Sequence, residues 1–195
     1  MNDEEEYLVG ALGDAYVDYK RNELQFYQKE VDWLQTINGI LERNFGVSGR
    51  IYKRDVFWLR KRNKALVSRI KQLLGEEIVE GQNFVAGLFD SEGSAYLASN
   101  KSTPVLDITQ SEKGLKKLET AKRVLEKIGF KCFLNGPYRN KHGKLAQYHL
   151  RLYGVANTKE FLERIPLKHS VKKKQIIFIL GGEIRAPNSD SLKVN

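Results

Sequence analysis

"NFVAGLFDSEGSAYL", residues 83–97, reads as a buried helix with an awkward end. Phe84, Val85, Ala86, Leu88 and Phe89 belong in a core, yet the helix closes on Asp90, Ser91 and Glu92. A carboxylate there faces the negative end of the helix dipole. "YLVGALGDAYVDYK", residues 7–20, repeats the design, with Asp14 in the place of Glu92. Two apolar helices in one chain therefore end on an acid.

The segments that follow the two helices also match. After the first comes a strand-like alternation, "LQFYQKE" (24–30), then "VDWLQTINGILERNFG" (31–46), where Val31, Leu34, Ile37 (or Ile40) and Leu41 recur at helical spacing and Gly46 stops the helix. A basic hairpin, "GRIYKRDVFWLRKR" (49–62), leads to the helix "KALVSRIKQLLG" (64–75). After the second come the strand "PVLDITQ" (104–110), the helix "SEKGLKKLETAKRVLEKIG" (111–129) and the hairpin "FKCFLNGPYRN…AQYHLRLY". "VANTKEFLERI" ends before Pro166, and "VKKKQIIFILGG" forms a last helix. The order helix, strand, strand, helix, strand, strand, helix thus occurs twice. The expected fold is α+β: two pseudo-symmetric αββαββα halves, residues 1–80 and 81–195, each with one antiparallel sheet. They join around "GEEIVEG", and the polar tail "RAPNSDSLKVN" is expected to fray.

Composition narrows the partners. The 195 residues carry 41% apolar side chains and only four prolines, as a chain with a real core does. No apolar run approaches the roughly 20 residues of a membrane span. The acidic start "MNDEEEYL" is unlike a signal or transit peptide. The single cysteine, Cys132, excludes an intramolecular disulfide and reads as a small core residue, which points to a reducing, intracellular setting. The 33 Lys and Arg against 24 Asp and Glu leave a net charge of +9. The basic residues gather at 50–72 and 113–174, often beside aromatics, and imply a polyanion partner.

"VAGLFDSEG" (85–93) resembles the nine-residue signature of LAGLIDADG homing endonucleases, including Gly87, Asp90, Glu92 and Gly93. The paired helices resemble the single-chain, two-motif form of that family. The first copy, "YLVGALGDA" (7–15), is looser. Aligned on its acid, it has Leu12 where the signature prefers Asp and Ala15 where it prefers Gly; aligned on Gly10, it is one residue short before Asp14. Close approach of two helices needs small residues, and Gly10, Gly13, Ala86 and Gly87 supply them. Acids at matched ends would then bring Asp14 and Glu92 together across a pseudo-twofold axis. Such a pair calls for a cation, and hard carboxylate oxygens suit Mg²⁺, with Mn²⁺ as a substitute and Ca²⁺ expected to bind without supporting cleavage. Backbone carbonyls of Gly13 and Ser91, at helix ends that leave such groups unpaired, are candidate further ligands.

The resemblance implies more. Gln28 and Gln110, at matched strand ends, would line the site. A lysine beside the scissile phosphate would stabilise transition-state charge; Lys172 is the first choice and Lys29 the second. The implied activity is site-specific double-strand DNA cleavage leaving short 3′ overhangs, by a monomer that moves its own intron. Because the chain starts at Met1 and lacks a C-terminal His-Asn, an intron-encoded or free-standing protein is expected rather than an intein. An intracellular place, the cytoplasm or nucleoid of a prokaryote rather than an organelle, is expected.

Strand alternation sets which residues meet DNA. Leu24, Phe26, Leu106 and Ile108 take the core face, leaving Gln25, Tyr27, Asp107 and Thr109 outward. The hairpins offer Arg50, Tyr52, Arg54, Lys131, Asn135, His149 and Arg151, with Arg139, Asn140 and Lys141 near a loop tip. A β-ribbon fits the major groove, where Arg, Asn and Gln read base edges, while loop lysines contact phosphates. No histidine spacing supports a His-based nuclease. Two rivals share the fold: a maturase that binds intron RNA, and a DNA-binding regulator that does not cut.

Overall fold

The protein is described here by a computed structural model, over residues 1–78, 81–139 and 146–181, the side chain of Asp14 excepted. Its first helix, α1 (Asp3–Ala11), starts under a capping box. Asn2 Oδ1 accepts the Glu5 N–H at 2.9 Å and Glu5 accepts the Asn2 N–H at 3.1 Å, which satisfies two donors of the helix start. The acidic run at the start of the chain is therefore the first turn of a helix, at the positive end of its dipole.

From α1 the chain passes through a 3-10 turn (Leu12–Asp14) into β1 (Ala15–Asp18), β2 (Glu23–Gln28), α2 (Val31–Phe45), β3 (Arg50–Lys53), β4 (Phe57–Arg62) and α3 (Lys64–Leu73). The second half repeats the order as α4 (Gln82–Glu92), β5 (Gly93–Leu97), β6 (Pro104–Ser111), α5 (Leu115–Lys127), β7 (Cys132–Tyr138), β8 (Gln147–Tyr153) and α6 (Val155–Arg164), then adds α7 (Ser170–Gly181). Each half holds one four-stranded antiparallel sheet, ordered β1-β2-β4-β3 and β5-β6-β8-β7. The α+β, twice-repeated architecture is the one the sequence pattern implies.

The helices cover one face of each sheet. Leu24, Phe26 and Leu59 in the first sheet, and Leu106, Ile108, Leu150 and Leu152 in the second, are buried beneath them. Each such aliphatic or aromatic side chain contributes about 1.5–3 kcal/mol by leaving water. At the centre α1 and α4 lie side by side, and their contact is built on two glycines. A Cβ on Gly10 would lie 2.1 Å from the Phe84 carbonyl oxygen and 2.8 Å from the Leu88 nitrogen. On Gly87 it would lie 2.0 Å from the Tyr7 carbonyl oxygen and 2.8 Å from the Ala11 nitrogen. The contacts are reciprocal, so Gly10 and Gly87 are equivalent across the pseudo-twofold axis.

That equivalence explains the irregular first motif. Between Ala11 and Asp14 there are three steps; between the matching Leu88 and Glu92 there are four. The first motif covers its three as a 3-10 turn, the second its four as α-helix. At about 2.0 Å per 3-10 residue and about 1.5 Å per α residue, both advance roughly 6 Å. The missing residue is compensated by tighter winding. Gly93 must be glycine because the Phe89 ring would lie 2.4 Å from a Cβ there. The residue matching Phe89 in the first motif is Leu12, and Ala15 is accommodated after it.

Candidate metal and nucleic-acid site

The acid-bearing ends of α1 and α4 meet. A Cβ on Gly13 would lie 2.7 Å from Glu92 Cγ, 2.9 Å from Glu92 Oε1 and 2.9 Å from Ser91 Oγ, so the turn that ends on Asp14 presses directly on the Glu92 side chain. The Asp14 backbone closes that turn; its side chain lies outside the described residues. Strand register carries the symmetry onward. Ala15, after Asp14, pairs with Phe26, and Gly93, after Glu92, pairs with Ile108. Gln28 and Gln110 stand two residues further along their strands, on the helix-covered face, each beside one acid-bearing end. Gln28 Oε1 accepts the Lys29 N–H at 2.9 Å. Gln110 Nε2 is buried with no acceptor among the described residues, and its Oε1 lies 2.1 Å from where Gly114 would carry a Cβ.

The awkward end of α4 is resolved by α7. Lys172 Nζ donates to the Phe89 carbonyl at 3.0 Å and to the Ser91 carbonyl at 2.9 Å. An ammonium thus caps the negative end of the helix whose last residue is Glu92. This corrects one expectation: the Ser91 carbonyl is not an orphan, and a cation approaching it meets Lys172. Lys29, the alternative lysine, is exposed beside Gln28. Lys117 of α5 was not foreseen. Burial makes its ammonium easier to deprotonate, while the Glu92 charge acts in the other direction. Among the described residues no three His, Cys, Asp or Glu side chains cluster as a self-sufficient metal site.

Asp90, two residues before Glu92, explains how α7 is held. It is fully buried, and its Oδ2 accepts Tyr7 Oη–H at 2.6 Å and the N–H groups of Lys168 and His169 at 2.6 and 3.0 Å. Trp33 Nε1 donates to Tyr7 Oη at 2.8 Å, and the His169 ring stacks on Trp33 at 5.9 Å. One carboxylate therefore joins α1, α2 and α4 to the start of α7 and so places Lys172. The first motif has no matching acid, and the first half has no matching helix to dock. Burial pushes the Asp90 carboxyl above its usual range, against the pull of the Tyr7 hydroxyl and the two backbone donors. Burial also lowers His169 to about 4, with Lys172 acting in the same direction. Asp90→Ala, which strands three donors, should cost about 2–3 kcal/mol in chemical denaturation. Asp90→Asn keeps an acceptor oxygen and should cost less than half as much.

Of the residues expected to face DNA, Gln25, Tyr27, Arg50, Tyr52, Asp107, Thr109, Asn135, His149 and Arg151 lie on strands, and many are tied to one another. In the second sheet Asp107, expected to be available outward, is 4% exposed. It accepts from Arg151 Nε at 2.8 Å and Tyr96 Oη at 3.0 Å, and His149 Nδ1 lies 3.0 Å away and 3.1 Å from Thr109 Oγ1. Asp107 is therefore buried among its partners and holds them in place rather than standing open on the sheet face. In the first sheet Glu23, 2% exposed, has this role. Arg60 donates through Nε to Oε1 and through an Nη to Oε2, both at 2.8 Å, and Arg62 Nε donates at 2.5 Å. Gln25 donates to Glu23, and the Tyr27 hydroxyl donates to Gln25. Arg50, Tyr52, Arg54, Lys131 and Arg139 are exposed, while Thr109 and Asn135 are half-buried. Arg54 stacks over Trp58 at 4.8 Å, beside Tyr27 and Tyr52. Asn140 and Lys141 lie outside the described residues.

Arg60, and next to it Arg62, hold the Glu23 carboxyl down to about 2. A carboxyl with a folded-state value below its usual value of about 4.3 stabilises the fold above that value and loses the contribution as pH falls. Acid unfolding of wild type should therefore steepen between about pH 4.3 and 2, and Glu23→Gln should flatten that part of the curve.

Comparison with known proteins agrees with this geometry. Residues 80–166 match the family model of the LAGLIDADG-like domain. No curated protein matches the chain significantly. Among solved structures, I-DmoI in complex with DNA and Mn is similar with a TM-score of 0.64 and 22% identity over 86% of this chain and 98% of that one. The meganuclease I-SmaMI bound to uncleaveable DNA is similar with a TM-score of 0.60 and 12% identity, covering 93% of this chain and 88% of that one. The N-terminal LAGLIDADG domain of DUF199/WhiA gives 0.62 and 15%, over 88% and 87%. At these identities the likeness establishes the fold.

Proposed function

We propose that this chain, which carries a LAGLIDADG-like domain in its second half and has the LAGLIDADG homing-endonuclease fold, is a site-specific double-strand DNA endonuclease. The observation that carries the reading is the meeting of two acid-bearing helix ends at a pseudo-twofold axis, flanked by matched glutamines and open basic sheets. I-DmoI structures hold DNA with Mn and with Ca, and that chemistry suits the donors here. Asp14 and Glu92 would hold divalent ions, Mg²⁺ or Mn²⁺, with the Gly13 carbonyl as a further donor. A bound ion would supply Lewis-acid stabilisation of the phosphodiester and a more acidic water.

The chain's own residues do the rest. Gln28 and Gln110 offer amide donors and acceptors where an attacking water would be oriented. Lys172, delivered by α7, places positive charge beside the scissile phosphate and offsets charge as it develops. The Arg, Tyr and Lys side chains of the sheets hold a DNA duplex across both halves of a monomer. Residues 1–80 and 81–195 each serve one half-site.

The test uses DNA in which the sequences flanking the protein's own coding element are joined. Incubation with Mg²⁺ should give one defined double-strand break, abolished by EDTA. Intact DNA with tight binding to the intron transcript would point to a maturase instead. Tight DNA binding without a break would point to a regulator.

A further inference from the structure

Arg60 and Arg151 occupy equivalent places in the two sheets. Arg60 pairs with Gln25, one residue before the Phe26 that faces Ala15. Arg151 pairs with Asp107, one residue before the Ile108 that faces Gly93. The path from each catalytic acid to each arginine is the same, so the two stand at matched distances from the centre of the molecule. Both are held by a carboxylate that is almost wholly removed from water. Asp107 sits directly across from Arg151 and reaches its Nε at 2.8 Å. Glu23 precedes Gln25, the residue across from Arg60, by two positions, and its longer side chain reaches the Nε and an Nη of Arg60 at 2.8 Å.

Such an arrangement fixes a guanidinium before any ligand arrives. Arg has five N–H donors in a planar fork. Glu23 engages two donors of Arg60, and Asp107 engages the Nε of Arg151. Tyr153 also hydrogen-bonds Arg151; these contacts use fewer than the five N–H groups of either guanidinium, and both arginines stand on the sheet face that the helices leave open. Arg60 lines a basic recess of about 380 Å³ with Ser48, Arg50, Tyr52, Lys61 and Arg62. Guanine matches a guanidinium fork in the major groove, because O6 and N7 are both acceptors on one edge.

We propose that Arg60 and Arg151 are the paired guanine readers of the two half-sites, positioned by Glu23 and Asp107, so that the DNA target carries a guanine contact at two places equidistant from its centre. This rests on the endonuclease reading and adds base identity and spacing to it. Arg60 is raised by its Glu23 hydrogen bonds, and Asp107 raises Arg151 against the effect of burial.

The test is selection of bound duplexes from a randomised library in Ca²⁺, with sequencing of the bound pool. Wild type should enrich guanine at two positions symmetric about the centre, with a roughly ten- to hundred-fold preference at each. Arg60→Lys keeps the charge but not the fork, and should flatten the preference at one position only. Arg151→Lys should flatten the other. Glu23→Gln should weaken the guanine preference at the Arg60 position while the rest of the selected site is retained. A selected site without the guanine pair, or profiles unchanged in both lysine variants, overturns this assignment alone. A pool with no enriched sequence overturns both the assignment and the endonuclease reading.

Discussion

Gly87→Ala is expected to remove at least about 3 kcal/mol of stability, and Gly10→Ala as much. For a chain of this length that is a fall in Tm of roughly 6–12 °C. The cause is the steric contact between α1 and α4. A methyl group at Gly87 would sit 2.0 Å from a backbone carbonyl oxygen of the partner helix, and at Gly10 it would sit 2.1 Å from one. Side chains can rotate out of such a clash, but backbone can yield only by moving the helices apart. Overpacking commonly costs about 1–3 kcal/mol, and a clash with two rigid backbones belongs at or above the top of that range. Gly39→Ala serves as the contrast. It lies inside α2, where a Cβ would meet only the far end of Arg43 at 3.0 Å. There alanine should stabilise by about 0.5–1 kcal/mol through helix propensity. Thermal unfolding of the three variants therefore separates interhelical contact from a general effect of glycine removal. Equal shifts for Gly87→Ala and Gly39→Ala would contradict the packing described here.

The fold was legible because two periodicities and one repeated word agree. The α1 and α4 segments, the strand alternation of 24–28 and 104–110, and the glycine stops of α2 and α5 all point to a duplicated α+β chain, and the sheets fall where the alternation puts them. The close approach of the two acid-bearing helix ends was legible in outline from the repeated motif. What escaped was interaction between side chains. Asp107 and Glu23 are alike acidic strand residues in a linear reading, and only the paired strands show both buried under arginines. Arg60 could have been found: Leu59 alternates inward in "FWLRKR", which leaves Trp58 and Arg60 on the open face. The role of Asp90 could not, since Tyr7, Trp33 and His169 are far apart in sequence and meet only through tertiary packing. The short first motif looked defective in one dimension. It becomes equivalent to the second only when a 3-10 turn is set against four residues of α-helix.

The central claim is that Asp14 and Glu92 exist to bind metal and cut DNA rather than to stabilise helix ends. Each acid ends an apolar helix, where a carboxylate is disfavoured by the helix dipole. Removing its charge should therefore leave stability unchanged or improved. Catalysis should fall at least roughly a thousand-fold, the equivalent of losing about 4 kcal/mol of transition-state stabilisation from a displaced metal ion. The decisive measurement compares wild type, Asp14→Asn and Glu92→Gln on one cognate duplex, with affinity determined in Ca²⁺ and cleavage in Mg²⁺. The account predicts undiminished DNA affinity in both variants together with the loss of double-strand cleavage. Variants that cut at the wild-type rate, or that no longer bind the duplex, would show the two acids to be structural and would contradict it.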